Sequence, residues 1–271
     1  MPDTTPDQVA SVLADRRYVV LEGPPGTGKT HLALGLKDSH YGGRGRTVQF
    51  HPNTTYETFI GGLAPRQSSS DLGLSFAPLR GALMEASATA SEDDRPYLLH
   101  IDEINRADLA KVLGEAIFLL EAKAAESRTV QLTHDFGPPF GRELWLPPNL
   151  HILGTMNSAD RNIAILDVAI RRRFAFLKLW PQLRVVEQFG GPVMERAFRN
   201  LVSIFVEYAR GDAFALVPGH SYFLSDDEHA PRDLRLNLLP LLEEYLQQGY
   251  AAGFAEELRT YAQWVESLAS A

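Results

Sequence analysis

The sequence predicts an α/β fold, a five-stranded parallel sheet flanked by helices and followed by an all-helical subdomain. Three observations lead there. Five short apolar segments alternate with helical patterns, as in a parallel sheet with covered faces. A glycine-rich stretch, Gly23-Pro24-Pro25-Gly26-Thr27-Gly28-Lys29-Thr30, lies between the first apolar segment and the helix after it. From Gln182 onward the alternation stops and only helical periodicity remains.

Val9, Val12 and Leu13 have helical spacing, and Thr5 or Asp7 could cap that helix. Strands are expected at 18–21, 47–50, 97–101, 150–153 and 174–179. A helix is expected over 108–123, with Leu109, Val112, Leu113, Ala116, Ile117 and Leu120 along one face. Residues 61–78 read as a polar loop. Residues 128–146 carry two alternating apolar runs around Gly137-Pro138-Pro139-Phe140-Gly141, which predicts a hairpin. Helical patterns then cover 193–210, 234–247 and 254–268. The expected division is a nucleotide-binding core at 1–181 and a helical lid at 182–271, with the boundary near Pro181.

Composition bounds the function. The 271 residues are 45% apolar, enough for a sizeable core, and 22% charged. No apolar run reaches the ~18–20 residues of a membrane span. The start, with acidic residues and no basic region ahead of an apolar stretch, is not expected to be a signal peptide. The absence of cysteine rules out disulfides and thiolate metal sites and fits a cytoplasmic protein. A net charge of −8 counts against a domain that grips nucleic acid by itself. Only five of the 26 basic residues are lysine, so any one arginine carries less information than usual.

The motifs carry the chemistry. Residues 23–30 match GxxxxGK[ST] in the required strand–loop–helix context. Its glycines let backbone N–H groups close around phosphates, and the following helix turns its N-terminus toward them. Lys29 is expected to reach the β and γ phosphates and Thr30 to ligate Mg²⁺. Asp102 and Glu103 end the apolar segment Leu98–Leu99–His100–Ile101, where ligands of such sheets sit. Asp102 can orient Mg²⁺ through water, and Glu103 can polarise an attacking water. Asn157 follows another strand and can hold that water, or merely cap a turn. Arg171, Arg172 and Arg173 precede the fifth strand, where arginines can stabilise charge on a neighbouring subunit's γ-phosphate.

Taken together, GPPGTGKT, LLHIDEINRAD and GTMNSADR…DVAIRRRF resemble the AAA+ superfamily, and within it the McrB branch of restriction NTPases. FHPNTTYETFIGGLAP (50–65) and PGHSYFL (218–224) are similar to that branch as well. The resemblance implies that Asn157 is the first sensor, that Asp160 and Arg161 complete a signature loop, and that Arg172 and Arg173 act in trans. It implies that Asn105 and Arg106 couple neighbouring subunits, and that the 128–146 hairpin is the insertion before the sensor strand. It further implies a ring-shaped homo-oligomer, a hexamer, that hydrolyses GTP in preference to ATP with Mg²⁺. An McrC-like nuclease subunit would be its partner in antiviral restriction, with DNA contacted through the partner or the pore. The chain starts almost at the first helix of the ATPase core, which leaves no expected reader of modified DNA. No arginine heads a lid helix as an evident second sensor; Arg232, Arg235 and His220 are the candidates. Two other readings compete: a MoxR-like remodelling chaperone driven by ATP, and a nucleotide-bound scaffold without turnover.

Overall fold

The computed structural model describes residues 4–67, 74–121, 128–159 and 168–268. Its strands are β1 (Tyr18–Gly23), β2 (Gly45–Gln49), β3 (Gly61–Gln67), β4 (Leu74–Arg80), β5 (Tyr97–Asp102), β6 (Thr129–Gln131), β7 (Glu143–Trp145), β8 (Leu150–Asn157) and β9 (Ala175–Lys178). Five of them form one parallel sheet in the order β2-β5-β8-β1-β9. The helices are α1 (Pro6–Arg16), α2 (Lys29–Tyr41), α3 (Tyr56–Phe59), α4 (Ala82–Ala90), α5 (Leu109–Leu113), α6 (Val168–Arg171), α7 (Leu183–Phe189), α8 (Pro192–Tyr208), α9 (Ala230–Asp233), α10 (Leu239–Gln247) and α11 (Ala255–Leu268).

Strand alternation sorts the core into two layers. Tyr18, Val20, Leu99, Ile101 and Ile152 face one side, where they pack with Leu83, Leu113 and Leu144. Val19, Leu21, Leu98 and Leu153 face the other, against Val9 and Leu13 of α1 and Ala33 and Leu36 of α2. Each fully buried leucine or valine contributes about 1.5–3 kcal/mol, so a strand buried on both faces has to be apolar almost throughout. A third cluster is helical and includes Val186, Phe198, Phe205, Leu242 and Leu258, with Trp180 packed against it. Among the described residues no helix is long and apolar enough to cross a membrane.

The structure departs from the sequence reading in three places. Within the stretch 61–78, residues 61–67 and 74–78 are strand and not loop: β3 and β4 pair antiparallel from Gly61↔Arg80 to Gln67↔Leu74, and residues 68–73 lie outside the described residues. The helix expected over 108–123 ends at Leu113, because Gly114 takes a left-handed φ of +49° against the ring of Tyr56. The chain continues as a 3₁₀ turn through Leu119. Between α9 and α10, residues Leu234–Leu238 form a π turn. It lies just before Pro240, which has no N–H to continue the helical ladder. The hairpin expected over 128–146 is present as β6 paired with β7.

The topology positions the site. β5, β8 and β1 are neighbours at the centre of the sheet, in register at Ile101↔Gly154 and Gly23↔Asn157. Their carboxyl ends therefore deliver Asp102, Asn157 and Gly23 to one edge.

Candidate functional site

The loop after β1 is held by its own backbone torsions and by one lysine. Gly26 and Gly28 have φ of +78° and +75°, which a side-chain-bearing residue adopts only under strain. Gly28 is the N-cap of α2, so the first-turn amides of that helix have no intrahelical acceptors. Thr27 is buried and its hydroxyl donates to the Pro24 carbonyl at 2.9 Å. The Lys29 ammonium donates to the carbonyls of Gly23 (2.8 Å) and Pro24 (2.7 Å). Burial lowers the pKa of Lys29 to about 8, although the nearby charges of Glu103 and Asp102 oppose that shift.

Thr30, the second residue of α2, donates its hydroxyl hydrogen bond to Asp102 Oδ1 at 2.9 Å. The same oxygen accepts from Thr155 of β8 at 2.5 Å. Thr155 was not apparent as a site residue in the sequence. One signal was available: it lies two residues before Asn157, and alternation puts both on one face of β8. His100, buried two residues before Asp102, is held down to about pKa 4 by burial. Its Nδ1 lies 3.3 Å from Thr47 Oγ1 and its Nε2 lies 3.9 Å from Asp102 Oδ1, so a neutral imidazole stands beside the acid.

Glu103 turns the chain out of β5 with φ of 53° and ψ of 48°, a left-handed conformation uncommon without glycine. Its carboxylate lies 3.6 Å from Arg106 Nε. Asn105 points inward and is only 3% exposed, so of the Asn105–Arg106 pair only Arg106 has a face that a neighbouring chain could touch. Asn157 ends β8 beside Gly23, and its Oδ1 is buried without a hydrogen-bond partner among the described residues. Asp160 and Arg161 lie outside the described residues.

The three arginines separate by environment. Arg171 is exposed, and its guanidinium lies 5.1 Å from the Phe176 ring centroid, within cation–π range. Arg173 is half-buried and donates to the Ala169 carbonyl at 2.6 Å. Arg172 is exposed.

The segment 218–223 sits directly on the phosphate loop. Gly219 N–H donates to the Pro25 carbonyl at 2.8 Å, and Ser221 N–H donates to the Gly26 carbonyl at 3.0 Å. Of the three second-sensor candidates, His220 is the one the structure brings to the loop. Its Nδ1 accepts from the Gln182 backbone N–H at 3.2 Å, which leaves the proton of the neutral ring on Nε2. Nε2 lies 3.4 Å from where a side chain on Gly28 would begin. Burial lowers the pKa of His220, which favours that neutral form. Arg232 pairs with its neighbour Asp233 on the surface, and Arg235 is exposed. A cleft of about 380 Å³ runs from the loop along α2, lined in part by Gly28, His31, Leu32, Trp180, Gln182 and His220.

The family model described as the AAA domain, dynein-related subfamily, matches residues 18–174. The chain is 34% identical over 272 residues to the type IV methyl-directed restriction enzyme EcoKMcrB subunit of Escherichia coli K12, across 90% of this chain and 57% of that protein. It is 28% identical over 194 residues to YdiS, a component of the type II restriction enzyme BsuMI of Bacillus subtilis 168, across 59% of this chain and 56% of that protein. The chain thus spans little more than half the length of either relative. A solved chain from Cytophaga hutchinsonii overlays with a TM-score of 0.42 at 18% identity, across 94% of this chain and 66% of that one, too distant to add to the assignment. With its phosphate loop, acid strand and sheet order in place and the family model spanning more than half its length, the chain belongs to the AAA family in its dynein-related subfamily, as a P-loop nucleoside triphosphatase similar to McrB.

Proposed function

We propose that this chain is the motor subunit of a restriction system, a Mg²⁺-dependent nucleoside triphosphatase that prefers GTP to ATP. It works as a ring, hexameric by resemblance, that drives a separate McrC-like nuclease. The observation that carries this reading is the meeting of Lys29, Thr30, Asp102, Glu103 and Asn157 at the ends of three adjacent strands. Similarity to two restriction-system components supports the biological setting. Contact with DNA is assigned to the partner or the pore, and the setting to the cytoplasm.

In this reading Lys29 holds the β and γ phosphates and the cleft beside Gly28 takes the nucleoside. The donor set suits Mg²⁺, since Thr30 and Asp102 offer hard oxygens, and with nucleotide phosphates and water one carboxylate suffices. When bound, the ion would supply charge neutralisation across the phosphate oxygens. Glu103 polarises the attacking water, and Asn157, whose Oδ1 has its hydrogen-bonding capacity to spare, orients it. Arg172 and Arg173 act in trans as fingers, Arg106 belongs to the surface that meets the neighbour, and Asp160 and Arg161 complete the signature loop. Residues 182–271 form the lid, and His220 takes the part of the second sensor because its Nε2–H faces the loop.

Steady-state hydrolysis of GTP and ATP, measured across protein concentration, tests the proposal. Specific activity should rise with concentration as protomers associate, and GTP should turn over faster. Activity independent of concentration would remove the ring, and faster ATP turnover would remove the GTP preference.

A further inference from the structure

Thr155 is 2% exposed in the middle of a buried strand, flanked by Gly154 and Met156. Valine has the same shape and suits such a strand at least as well, so packing alone gives no reason for a hydroxyl there. The hydroxyl is used in both directions. Its single proton goes to Asp102 Oδ1 at 2.5 Å, a short bond to a carboxyl oxygen. Its oxygen accepts the backbone N–H of Glu103 at 3.3 Å. The two bonds hold consecutive acids of β5 from the neighbouring strand, and the second meets the backbone of a residue in left-handed conformation. Two residues further along the same face of β8 stands Asn157.

We propose that Thr155 is a positioning residue for hydrolysis: one hydroxyl fixes the orientation of the Asp102 carboxylate and the turn at Glu103, tying both acids to the strand that carries Asn157. The proposal rests on the reading of Asp102 as the acid that orients the metal and Glu103 as the one that polarises water. Thr155 need not touch nucleotide, metal or the reacting water. It acts through the two acids, so its loss should alter what depends on their geometry and spare what depends on the phosphate loop.

The test uses the 271-residue chain with Thr155→Val, which keeps shape and removes both bonds, and Thr155→Ser, which restores the hydroxyl. Binding of fluorescent, nonhydrolysable GTP and ATP analogues is measured in EDTA and in Mg²⁺, and kcat is measured in Mg²⁺. For Thr155→Val the affinity gained on adding Mg²⁺ should shrink, and kcat should fall, by about 10–100-fold each, the usual cost of losing a partner that orients a metal-holding group. Affinity in EDTA should match the parent, and Thr155→Ser should recover both losses. Parental Mg²⁺ gain and kcat in Thr155→Val would overturn the proposal. So would a Thr155→Ser variant as impaired as Thr155→Val, or an equal loss of affinity with and without Mg²⁺, since each points to packing. Should Thr155→Val fail to fold, Thr155→Cys replaces it, a thiol being a much weaker donor and acceptor; equal performance of the cysteine and serine variants then overturns the proposal. Glu103→Gln is run in parallel. Parental turnover in Glu103→Gln defeats the reading of the acids, whereas a dead Glu103→Gln beside an unimpaired Thr155→Val defeats only the role of Thr155.

Discussion

Replacing Gly219 by alanine would test how the helical part of the chain bears on the phosphate loop. Gly219 has φ of −70° and ψ of 167°, which alanine adopts freely, so the effect is steric and not torsional. An added Cβ would stand 2.0 Å from the Gly26 carbonyl carbon, 2.1 Å from its oxygen and 2.5 Å from Thr27 N. All three are backbone atoms, and carbon contacts settle near ~3.5 Å, so the two segments must part by about 1.5 Å. That displacement carries the Gly219–Pro25 and Ser221–Gly26 hydrogen bonds, now 2.8 and 3.0 Å, out of range. At ~0.5–1.5 kcal/mol each, the loss is about 2 kcal/mol, or ~30-fold in an equilibrium that requires the docked arrangement. The same energy lowers the melting temperature by about 3–4 °C for a chain of this size unfolding in one transition. Scanning calorimetry reads the stability, and titration with a fluorescent nucleotide reads the affinity. Gly253→Ala, where an added Cβ meets nothing within 4 Å, serves as the control. Parental stability and affinity in Gly219→Ala would show that docking of 218–223 on the loop contributes nothing.

Three other perturbations follow from the same geometry. Lys29, with its pKa lowered to about 8 by burial, binds phosphates in its charged form; affinity should be flat below pH 8 and fall as pH rises through it, by up to about tenfold per unit. Lys29→Ala should bind weakly and lose that inflection, and a parent whose affinity stays flat across this range would contradict the assignment. Glu103→Gln should bind nucleotide and fail to turn over, and Arg172→Ala/Arg173→Ala should lose on the order of a thousandfold in rate. Mixed, the two inactive proteins should regain partial activity where a sound site meets intact fingers; no recovery in co-assembled mixtures would place the arginines outside catalysis. Thr5 caps α1 in a reciprocal pair with Gln8, at 3.3 and 3.0 Å. Thr5→Ala should cost about 1 kcal/mol in denaturant unfolding without altering turnover, and unchanged stability would mean the cap is idle.

What the sequence determined by itself was whatever is encoded within one contiguous stretch. The phosphate loop is legible because its glycine torsions, its lysine and its helix N-terminus are all local, from Gly23 to Thr30. Strands buried on both faces are legible as apolar runs, and Asp102, Glu103 and Asn157 could be placed because each ends or follows such a run. Tertiary structure decided what depends on a partner distant along the chain. The β3–β4 hairpin hides in a polar, proline-bearing stretch because cross-strand pairing, not local propensity, stabilises it. The helix begun at Leu109 stops at Gly114, where Tyr56 packs against the left-handed turn. Nothing local distinguishes Arg232, Arg235 and His220; the fold brought His220 across 192 positions to the flank of Gly28. Thr155 carried no mark beyond its place two residues before Asn157, since a threonine in a strand is ordinary until the neighbouring strand sets Asp102 beside it. A hydrogen bond between strands depends on register and adjacency, and only the folded sheet supplies those.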